Sequence, residues 1–137
     1  MGGLIVVDAS AAVEAALPAR GAEVVWDLLR RHGPAFVPAH FEAEAWSAIA
    51  RLHRRGLVVE TGARESARTI ADFPATRIAL APLLMLVPAW LGIVAGPDAF
   101  YAVLASDARA PLLTCDLRLA RALDGRLEVL YVEPTVY

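Results

Sequence analysis

Short apolar runs alternate with longer amphipathic segments along the 137 residues of this chain. The first run, Leu4–Val7, is continuous and rich in β-branched residues, which predicts a strand buried on both faces. Similar runs recur at intervals that leave room for a helix between them. They predict further strands at Ala35–Val37, Arg77–Leu80, Leu112–Cys115 and Leu127–Val132, of which Arg77–Leu80 carries the weakest signal.

Segments with helical periodicity fill the gaps between these strands. The apolar residues of Phe41–Arg55 follow the spacing of one helical face, and Gly56 is a stop signal behind them. A helix at Ala22–Arg31 is predicted in the same way, ahead of Gly33 and Pro34. Further helices are predicted at Ala9–Leu17, Thr61–Asp72, Ala99–Ala108 and Leu117–Leu123.

Residues 78–95 form the most apolar stretch of the chain. This stretch is close to the length of a membrane span, but it contains Pro82 and Pro88, and strand and helix signals flank it closely. We therefore predict a buried helix at Pro82–Val94, which Pro88 is able to interrupt. The alternative is that part of the stretch is an exposed face between subunits.

The regular alternation of strands and helices predicts parallel strands joined by crossover helices. The expected fold class is α/β, a three-layer α/β/α sandwich with a central parallel sheet of about five strands. With no linker or repeat in the sequence, one domain is expected to span residues 1–137. Ligands of such folds bind at the carboxyl ends of the strands, so we expect the chemistry at the corners where strands lead into helices.

Composition and charge narrow the possible functions. The net charge is −2, so nucleic acid would have to be bound through a local patch or through bound cations. All 13 basic residues are arginines, which argues against a phosphate-receiver domain, because that fold needs a lysine beside its aspartate. A single cysteine, Cys115, excludes an internal disulfide and predicts a reducing, cytoplasmic setting. No leader is recognised at the N-terminus and no membrane association is predicted.

Four carboxylates stand at corners of the predicted fold. Asp8 and Asp116 each follow a strand directly, Asp98 precedes a helix, and Glu44 lies near the start of another. Carboxylates gathered on one edge repel one another unless a divalent cation neutralises them, and oxygen ligands favour Mg²⁺ or Mn²⁺. Such a cation can orient a phosphodiester, activate a water molecule and stabilise the leaving oxygen. The placement therefore points to nuclease chemistry.

Each of these acids also has a purely structural interpretation. Asp98 and Asp116 are natural caps for the helices behind them, and Asp8 together with Ser10 could cap the first helix. Glu44 taken alone would be a solvated helix residue. Glu42 competes with it, because the two acids lie at opposite borders of the apolar face and periodicity does not choose between them.

Four stretches in sequence order resemble the motifs of PIN-domain nucleases, and of VapC-type toxins in particular. Ile5–Ser10 is similar to the opening of that family, and Pro38–Ile49 to its second motif, in which the acid stands six residues after a proline. That spacing selects Glu44. Asp98–Ala105 and Leu112–Ala120 resemble the third and fourth motifs, although Gly96 and Pro97 depart from the residues that commonly precede the third.

The resemblance implies a PIN fold, dependence on Mg²⁺ or Mn²⁺, and endonucleolytic cleavage of RNA. Asp8, Glu44, Asp98 and Asp116 would hold the metal or its water molecules. Ser10 and Thr114 would orient these ligands, with capping an equal alternative for Ser10. The toxin type also implies a cognate antitoxin, which would cover an apolar groove near the N-terminal helices, and a homodimer.

Arginines near the predicted corners are candidates for binding RNA phosphates. Arg118 and Arg121 follow Asp116 on one helix, and Arg51 stands with Arg54 and Arg55 near the end of the helix that carries Glu44. Solvated helix faces explain them equally well. A further alternative keeps the fold without the activity, as a PIN-like module that binds protein or RNA.

Overall fold

A computed structural model describes residues 3–135 of the chain. Its centre is a five-stranded, fully parallel sheet in the order β3-β2-β1-β4-β5. The predicted α/β/α sandwich is confirmed. The strands are β1 (Ile5–Val7), β2 (Ala35–Pro38), β3 (Ala75–Ile78), β4 (Leu112–Thr114) and β5 (Val129–Tyr131).

Helices cover both faces of this sheet, because successive side chains of a strand point to opposite sides. Ile5 and Val7 pack into one core with the first four helices, whereas Val6 packs into a second core with the later ones. The helices are α1 (Ala9–Ala16), α2 (Ala22–Arg31), α3 (Phe41–Arg54), α4 (Glu60–Ala71), α5 (Leu80–Leu84), α6 (Asp98–Ala108) and α7 (Leu117–Leu123), with a 3₁₀ helix at Val87–Trp90.

The strand order reverses direction at the centre of the sheet. From β1 the chain builds outward through β2 to β3, then crosses back to place β4 on the other side of β1 and β5 at the far edge. In open parallel sheets, the crevice at such a reversal is where ligands bind. Asp8 directly follows β1 and Asp116 lies two residues beyond β4, so both lie at this crevice.

The predicted strand Arg77–Leu80 is displaced by two residues. The observed strand β3 is Ala75–Ile78, and it pairs with β2 from Ala35 opposite Ala75 to Pro38 opposite Ile78. Backbone pairing with β2 sets this boundary, and the weak apolar pattern at Arg77 could not reveal it.

The predicted helix at Pro82–Val94 is wrong in its length and burial, whereas the predicted interruption near Pro88 is confirmed. The segment forms the short helix α5, with Pro82 in its first turn, and then the separate 3₁₀ helix, with Pro88 near its start. Proline lacks an amide hydrogen and is tolerated at helix starts, so two prolines divide the segment. Most of it is exposed, including Met85 at 80% and Leu91 at 79%. Between residues 3 and 135, no helix is both long and apolar enough to cross a bilayer.

Candidate metal centre

Asp8 lies where β1 ends and α1 begins. Its backbone amide still belongs to the sheet and donates to the carbonyl of Leu113 at 2.9 Å. Its own carbonyl already accepts hydrogen bonds from the amides of Ala11 and Ala12 and so starts the helix. The side chain is only 5% exposed, although α1 receives no side-chain cap from it. The capping interpretation therefore does not explain why an acid is buried here.

The carboxylate of Asp8 is held through one of its two oxygens. Ser10 Oγ donates to Asp8 Oδ2 at 2.5 Å, and Thr114 Oγ1 donates to the same oxygen at 2.8 Å. Burial raises the pKa of Asp8, the two hydroxyl hydrogen bonds lower it, and the nearby charges of Glu44 and Asp116 raise it further. Asp8 Oδ1 accepts no hydrogen bond from residues 3–135, so it is the oxygen available for a cation.

The same two hydroxyl groups connect the ends of β1 and β4. Ser10 Oγ accepts a hydrogen bond from the amide of Cys115 at 2.9 Å, and Thr114 Oγ1 accepts one from the amide of Asp116 at 3.0 Å. Each hydroxyl thus donates to Asp8 and accepts from the chain that leads to Asp116. The structure places Ser10 and Thr114 where the sequence predicted them, in contact with an acid of the candidate centre.

Asp116 caps α7, as one of its interpretations predicted. Its Oδ1 accepts hydrogen bonds from the amides of Arg118 at 3.0 Å and Leu119 at 3.2 Å. Capping occupies one carboxylate oxygen, and Oδ2 accepts no hydrogen bond within the described part of the chain. A structural role and a ligand role are therefore compatible at this residue.

Asp98 is the first residue of α6 and makes no side-chain cap, so the capping interpretation is wrong here. Burial, followed by the charges of Asp8, Glu44 and Asp116, raises the pKa of Asp98 to about 6. Arg118 lowers it, but by less than these other effects raise it. Three acids from other elements are therefore near enough to act on this carboxylate.

The structure separates Glu42 from Glu44. Glu42 Oε2 accepts a hydrogen bond from Arg77 Nε at 2.8 Å, and Arg77 also donates to the backbone carbonyls of Phe73 and Ala75. Glu42 is therefore engaged in a structural ion pair. Glu44 lies instead among the acids, because its charge contributes to the raised pKa of both Asp8 and Asp98.

Two further polar side chains stand beside the acids and were missed from the sequence. His40 Nε2 lies 3.4 Å from Glu44 Oε1. The side chain of Tyr101 is fully buried, and burial together with the charges of Asp8 and Glu44 and the contact of its hydroxyl with Glu44 raises the pKa of Tyr101. The position of His40, one helical turn before Glu44, was a usable signal, whereas Tyr101 resembles the core residues around it.

The candidate arginines have different surroundings. Arg118 is exposed and close enough to Asp98 to lower its pKa. Arg121 is also exposed and is not among the residues that shift the pKa of Asp98. Arg51 and Arg55 line a cavity of about 350 Å³ that Ser10 and Asp116 also border. Arg54 points elsewhere, into a cavity between α3 and α4.

The donor set fits a hard divalent cation. None of the four acids has an arginine ion pair among residues 3–135, and the charge of Arg118 offsets only part of the repulsion at Asp98. Within the same residues, no three acidic, histidine or cysteine side chains converge tightly enough to ligate one ion entirely. Mg²⁺ needs no such closed cage, because it usually takes one or two carboxylates and keeps several water molecules.

Comparisons with known proteins agree on one family for this chain. The sequence profile described as "PIN domain" matches residues 5–124. Ribonuclease VapC3 of Mycobacterium tuberculosis is 38% identical over 120 residues, which cover 86% of each chain. Ribonuclease VapC12 of the same organism is 31% identical over 126 residues, covering 92% of this chain and 97% of VapC12.

A solved structure shares the fold. The crystal structure of VapBC2 from Rickettsia felis, bound to a DNA fragment from its promoter, contains a chain that superposes with a TM-score of 0.66. The match covers 96% of this chain and 100% of that one, at 14% sequence identity. At this identity the likeness supports the arrangement of strands and helices alone.

Proposed function

The chain belongs to the PIN-domain family, and on that premise we propose that it is a metal-dependent endoribonuclease and the toxin of a toxin–antitoxin pair. The resemblance drawn from its four motifs is thereby confirmed at the level of the family. Two relatives above 30% identity, matched over most of their length, carry the name ribonuclease, which supports the RNA substrate. The setting we propose is the cytoplasm, with the chain acting as one domain.

We propose that the four acids hold Mg²⁺ or Mn²⁺ at the crevice between β1 and β4. The observation that carries this proposal is geometric: Asp8 is buried at the end of β1 and held through one oxygen by Ser10 and Thr114, and Thr114 Oγ1 also accepts a hydrogen bond from the amide of Asp116 beyond β4. In agreement with this placement, the charges of Asp8, Glu44 and Asp116 raise the pKa of Asp98 in α6. When bound, the cation would polarise the phosphodiester, activate a water molecule and stabilise the leaving oxygen. The overall reaction adds water at phosphorus and breaks the bond to the leaving oxygen.

The residues of this chain have distinct tasks in this proposal. Ser10 and Thr114 fix Asp8 through Oδ2 and so leave Oδ1 for the cation. Asp116 is held by the amides that it caps, which leaves Oδ2 for the site. Positioned carboxylates bind a cation without first reorganising, and loss of such supporting contacts typically weakens metal sites by about 10–100-fold.

For the RNA strand, we propose contacts from Arg51, Arg55 and Arg118. Arg51 and Arg55 line the cavity that Asp116 borders, and Arg118 lies near Asp98. Guanidinium groups bind phosphate oxygens in pairs and keep their charge at any relevant pH. Reversing the charge of Arg55 should weaken RNA binding and reduce its salt dependence, whereas reversing neighbouring Arg54 is the matched control because it faces another cavity. If the two charge reversals weakened RNA binding equally, the proposed RNA contacts would be contradicted.

The proposed protein partners are a cognate antitoxin and a second copy of this chain. The antitoxin follows from the VapC relatives and is tested by co-purification of a small co-expressed partner. For the homodimer we propose the exposed apolar residues Leu84, Met85, Leu86 and Leu91, since such patches mark interfaces. Light scattering of a Met85→Glu variant should then show a monomer where the parent chain shows a dimer; a monomeric parent would exclude this interface.

The decisive test compares two glutamates on α3. Glu44→Gln should abolish RNA cleavage and weaken Mn²⁺ binding measured by calorimetry, because it removes a proposed ligand. Glu42→Gln is the matched control, because Glu42 pairs with Arg77. This variant should retain both RNA cleavage and Mn²⁺ binding. If the chain binds no Mn²⁺, or if Asp98→Asn cleaves RNA as well as the parent, the enzyme proposal is wrong and a PIN-like binding module is the better description.

A further inference from the structure

His40 occupies an unusual place beside the candidate metal centre. It directly precedes α3, and its side chain is only 16% exposed. Two aromatic rings of α6 enclose the imidazole: the ring centroids of Phe100 and Tyr101 each lie 5.2 Å from its own. The ring is thus held in one place by packing from a different helix.

One nitrogen of this imidazole, Nε2, makes all of its polar contacts within residues 3–135. Nε2 lies 3.1 Å from the carbonyl oxygen of Pro97 and 3.4 Å from Glu44 Oε1. Both neighbours are acceptors only, so a hydrogen on Nε2 is required for either contact to be favourable. Nδ1 is buried and has no hydrogen-bond partner within residues 3–135.

These two contacts join acids that are far apart in sequence. Glu44 is one helical turn along α3 from His40, and Pro97 immediately precedes Asp98 at the start of α6. Within the described residues, no other side chain donates to the carbonyl of Pro97, and α6 has no side-chain cap. The Pro97 carbonyl also accepts a hydrogen bond from the backbone amide of Phe100 at 3.2 Å, and His40 adds a side-chain connection between this turn and the start of α3.

We propose that His40 is a positioning residue that fixes Glu44 relative to Asp98 through its Nε2–H group. The inference rests on the proposed function, since it assigns His40 a task toward the cation that the acids would bind. A hydrogen bond from Nε2 to the Pro97 carbonyl holds the turn, and Glu44 Oε1 lies 3.4 Å from the same nitrogen. Without it, Glu44 loses a polar neighbour at Oε1, and the Pro97 carbonyl keeps only the backbone amide of Phe100.

Two amide substitutions separate this role from simple packing. The side-chain amide of His40→Gln can reach the position of Nε2, whereas the shorter His40→Asn reaches only that of Nδ1. We expect His40→Asn to weaken Mn²⁺ binding about tenfold by calorimetry and to slow RNA cleavage, and His40→Gln to restore Mn²⁺ affinity to within about threefold. If both variants lose affinity equally, or neither does, the proposal is overturned.

His53, near the end of α3, is the matched control. Its Nδ1 contacts the carbonyl of Val58 at 2.8 Å, far along α3 from the acids, and His53→Asn should leave Mn²⁺ affinity unchanged. A loss equal to that of His40→Asn would mean that a histidine change anywhere along this segment disturbs the site, and the proposal would fail.

A measurement on the unsubstituted, metal-free protein needs no variant to fold. Long-range ¹H–¹⁵N spectra of the imidazole should place a proton on Nε2 of His40, and a proton found on Nδ1 alone would refute the proposal. Failure of the proposed function has a different signature: Mn²⁺ affinity would then be insensitive to Asp98→Asn. If Asp98→Asn abolishes Mn²⁺ binding while His40→Asn does not change it, only the role of His40 is wrong.

Discussion

Asp8 and Glu14 are two acids with nearly equal burial, and their surroundings differ in kind. Asp8 is 5% exposed and Glu14 is 4% exposed. Glu14 Oε2 accepts hydrogen bonds from the amide of Gly21 at 2.8 Å and from the amide and hydroxyl of Thr135 at 3.0 and 2.9 Å. Its carboxylate joins the α1–α2 connection to the C-terminal segment and faces donors that the fold supplies.

Asp8 lies among other acids and receives hydrogen bonds at one oxygen from two hydroxyl groups. Burial of a carboxylate is costly unless it is compensated: Glu14 accepts three hydrogen bonds, two of them from amides, whereas Asp8 accepts two from hydroxyl groups and also lies near the charges of Glu44 and Asp116. The difference teaches that burial alone does not mark a functional acid. A functional acid is distinguished by neighbours that make its ionised form less favourable.

Substituting Asp8 should produce the largest effect on activity. Asp8→Asn removes a proposed ligand, so RNA cleavage should fall by at least about a hundredfold. The metal-free protein should unfold at the same or a higher temperature, because a neutral amide avoids the penalty of a buried charge. Cleavage assays and thermal unfolding of the same preparation check this prediction. A variant that is inactive because it has unfolded would contradict it.

Substituting Glu14 should lower the stability of the protein and leave its activity nearly unchanged. Glu14→Ala leaves the buried amide of Gly21 and the partly buried amide of Thr135 without their acceptor and should lower the free energy of unfolding by about 2–4 kcal/mol. Glu14→Gln keeps an amide oxygen at that place and should lose less than half as much. Urea unfolding gives the free energies, and cleavage per folded molecule should stay within about threefold of the parent.

The sequence reveals these two acids to different degrees. Asp8 directly follows a predicted buried strand, and strands place their carboxyl ends at one edge, so Asp8 and Asp116 could be predicted to meet. The partners of Glu14 lie 7 and 121 residues away, and nothing in the alanine-rich α1 signals them. Local patterns predict elements and their ends, whereas the partner of a buried acid depends on tertiary packing.

The same distinction explains the errors along the chain. Helix α3 and strand β1 have strong periodicity and were predicted within a residue or two at each end. Residues 78–95 are uniformly apolar, so their pattern did not reveal how two prolines divide them or which side chains stay exposed. Glu42 and Glu44 could be separated by a motif but not by periodicity, because only the tertiary fold brings Arg77 to Glu42.

Gly21 offers a smaller test of the tightly compensated region. A Cβ at this position would lie 2.7 Å from Glu14 Oε2 and 2.9 Å from its Cγ, although the backbone conformation of Gly21 is open to any residue. Gly21→Ala should therefore lower the free energy of unfolding by about 1–2 kcal/mol through displacement of Glu14. The control is Gly62→Ala in α4, where the nearest atom is 3.5 Å away, and it should stabilise by about 0.5–1 kcal/mol. Denaturant midpoints that move the same way for both would contradict this account.

The smallest expected effect is the pH dependence of the acidic region. The pKa of Asp98 is raised from 3.8 to about 6 in the metal-free protein, above its value in the unfolded chain. Protonated Asp98 is thus favoured by folding, so its contribution to stability is complete below about pH 4 and is lost as the pH rises through about 6. Asp98→Asn should remove this part of the pH dependence, measured as the difference in unfolding temperature between the two proteins at each pH.

The same titration can be followed directly and in the presence of metal. Carbon NMR of the Asp98 carboxyl group should give a pKa near 6 without metal, and Asp116→Asn should lower that value because it removes one repelling charge. Adding Mg²⁺ should lower it further, since a bound cation favours the ionised carboxylate. Glu14→Gln is the control, because Glu14 is not among the groups that shift Asp98. A pKa of Asp98 near 4, unchanged by Mg²⁺, would show that the acids do not act on one another and that the contrast with Glu14 is unfounded.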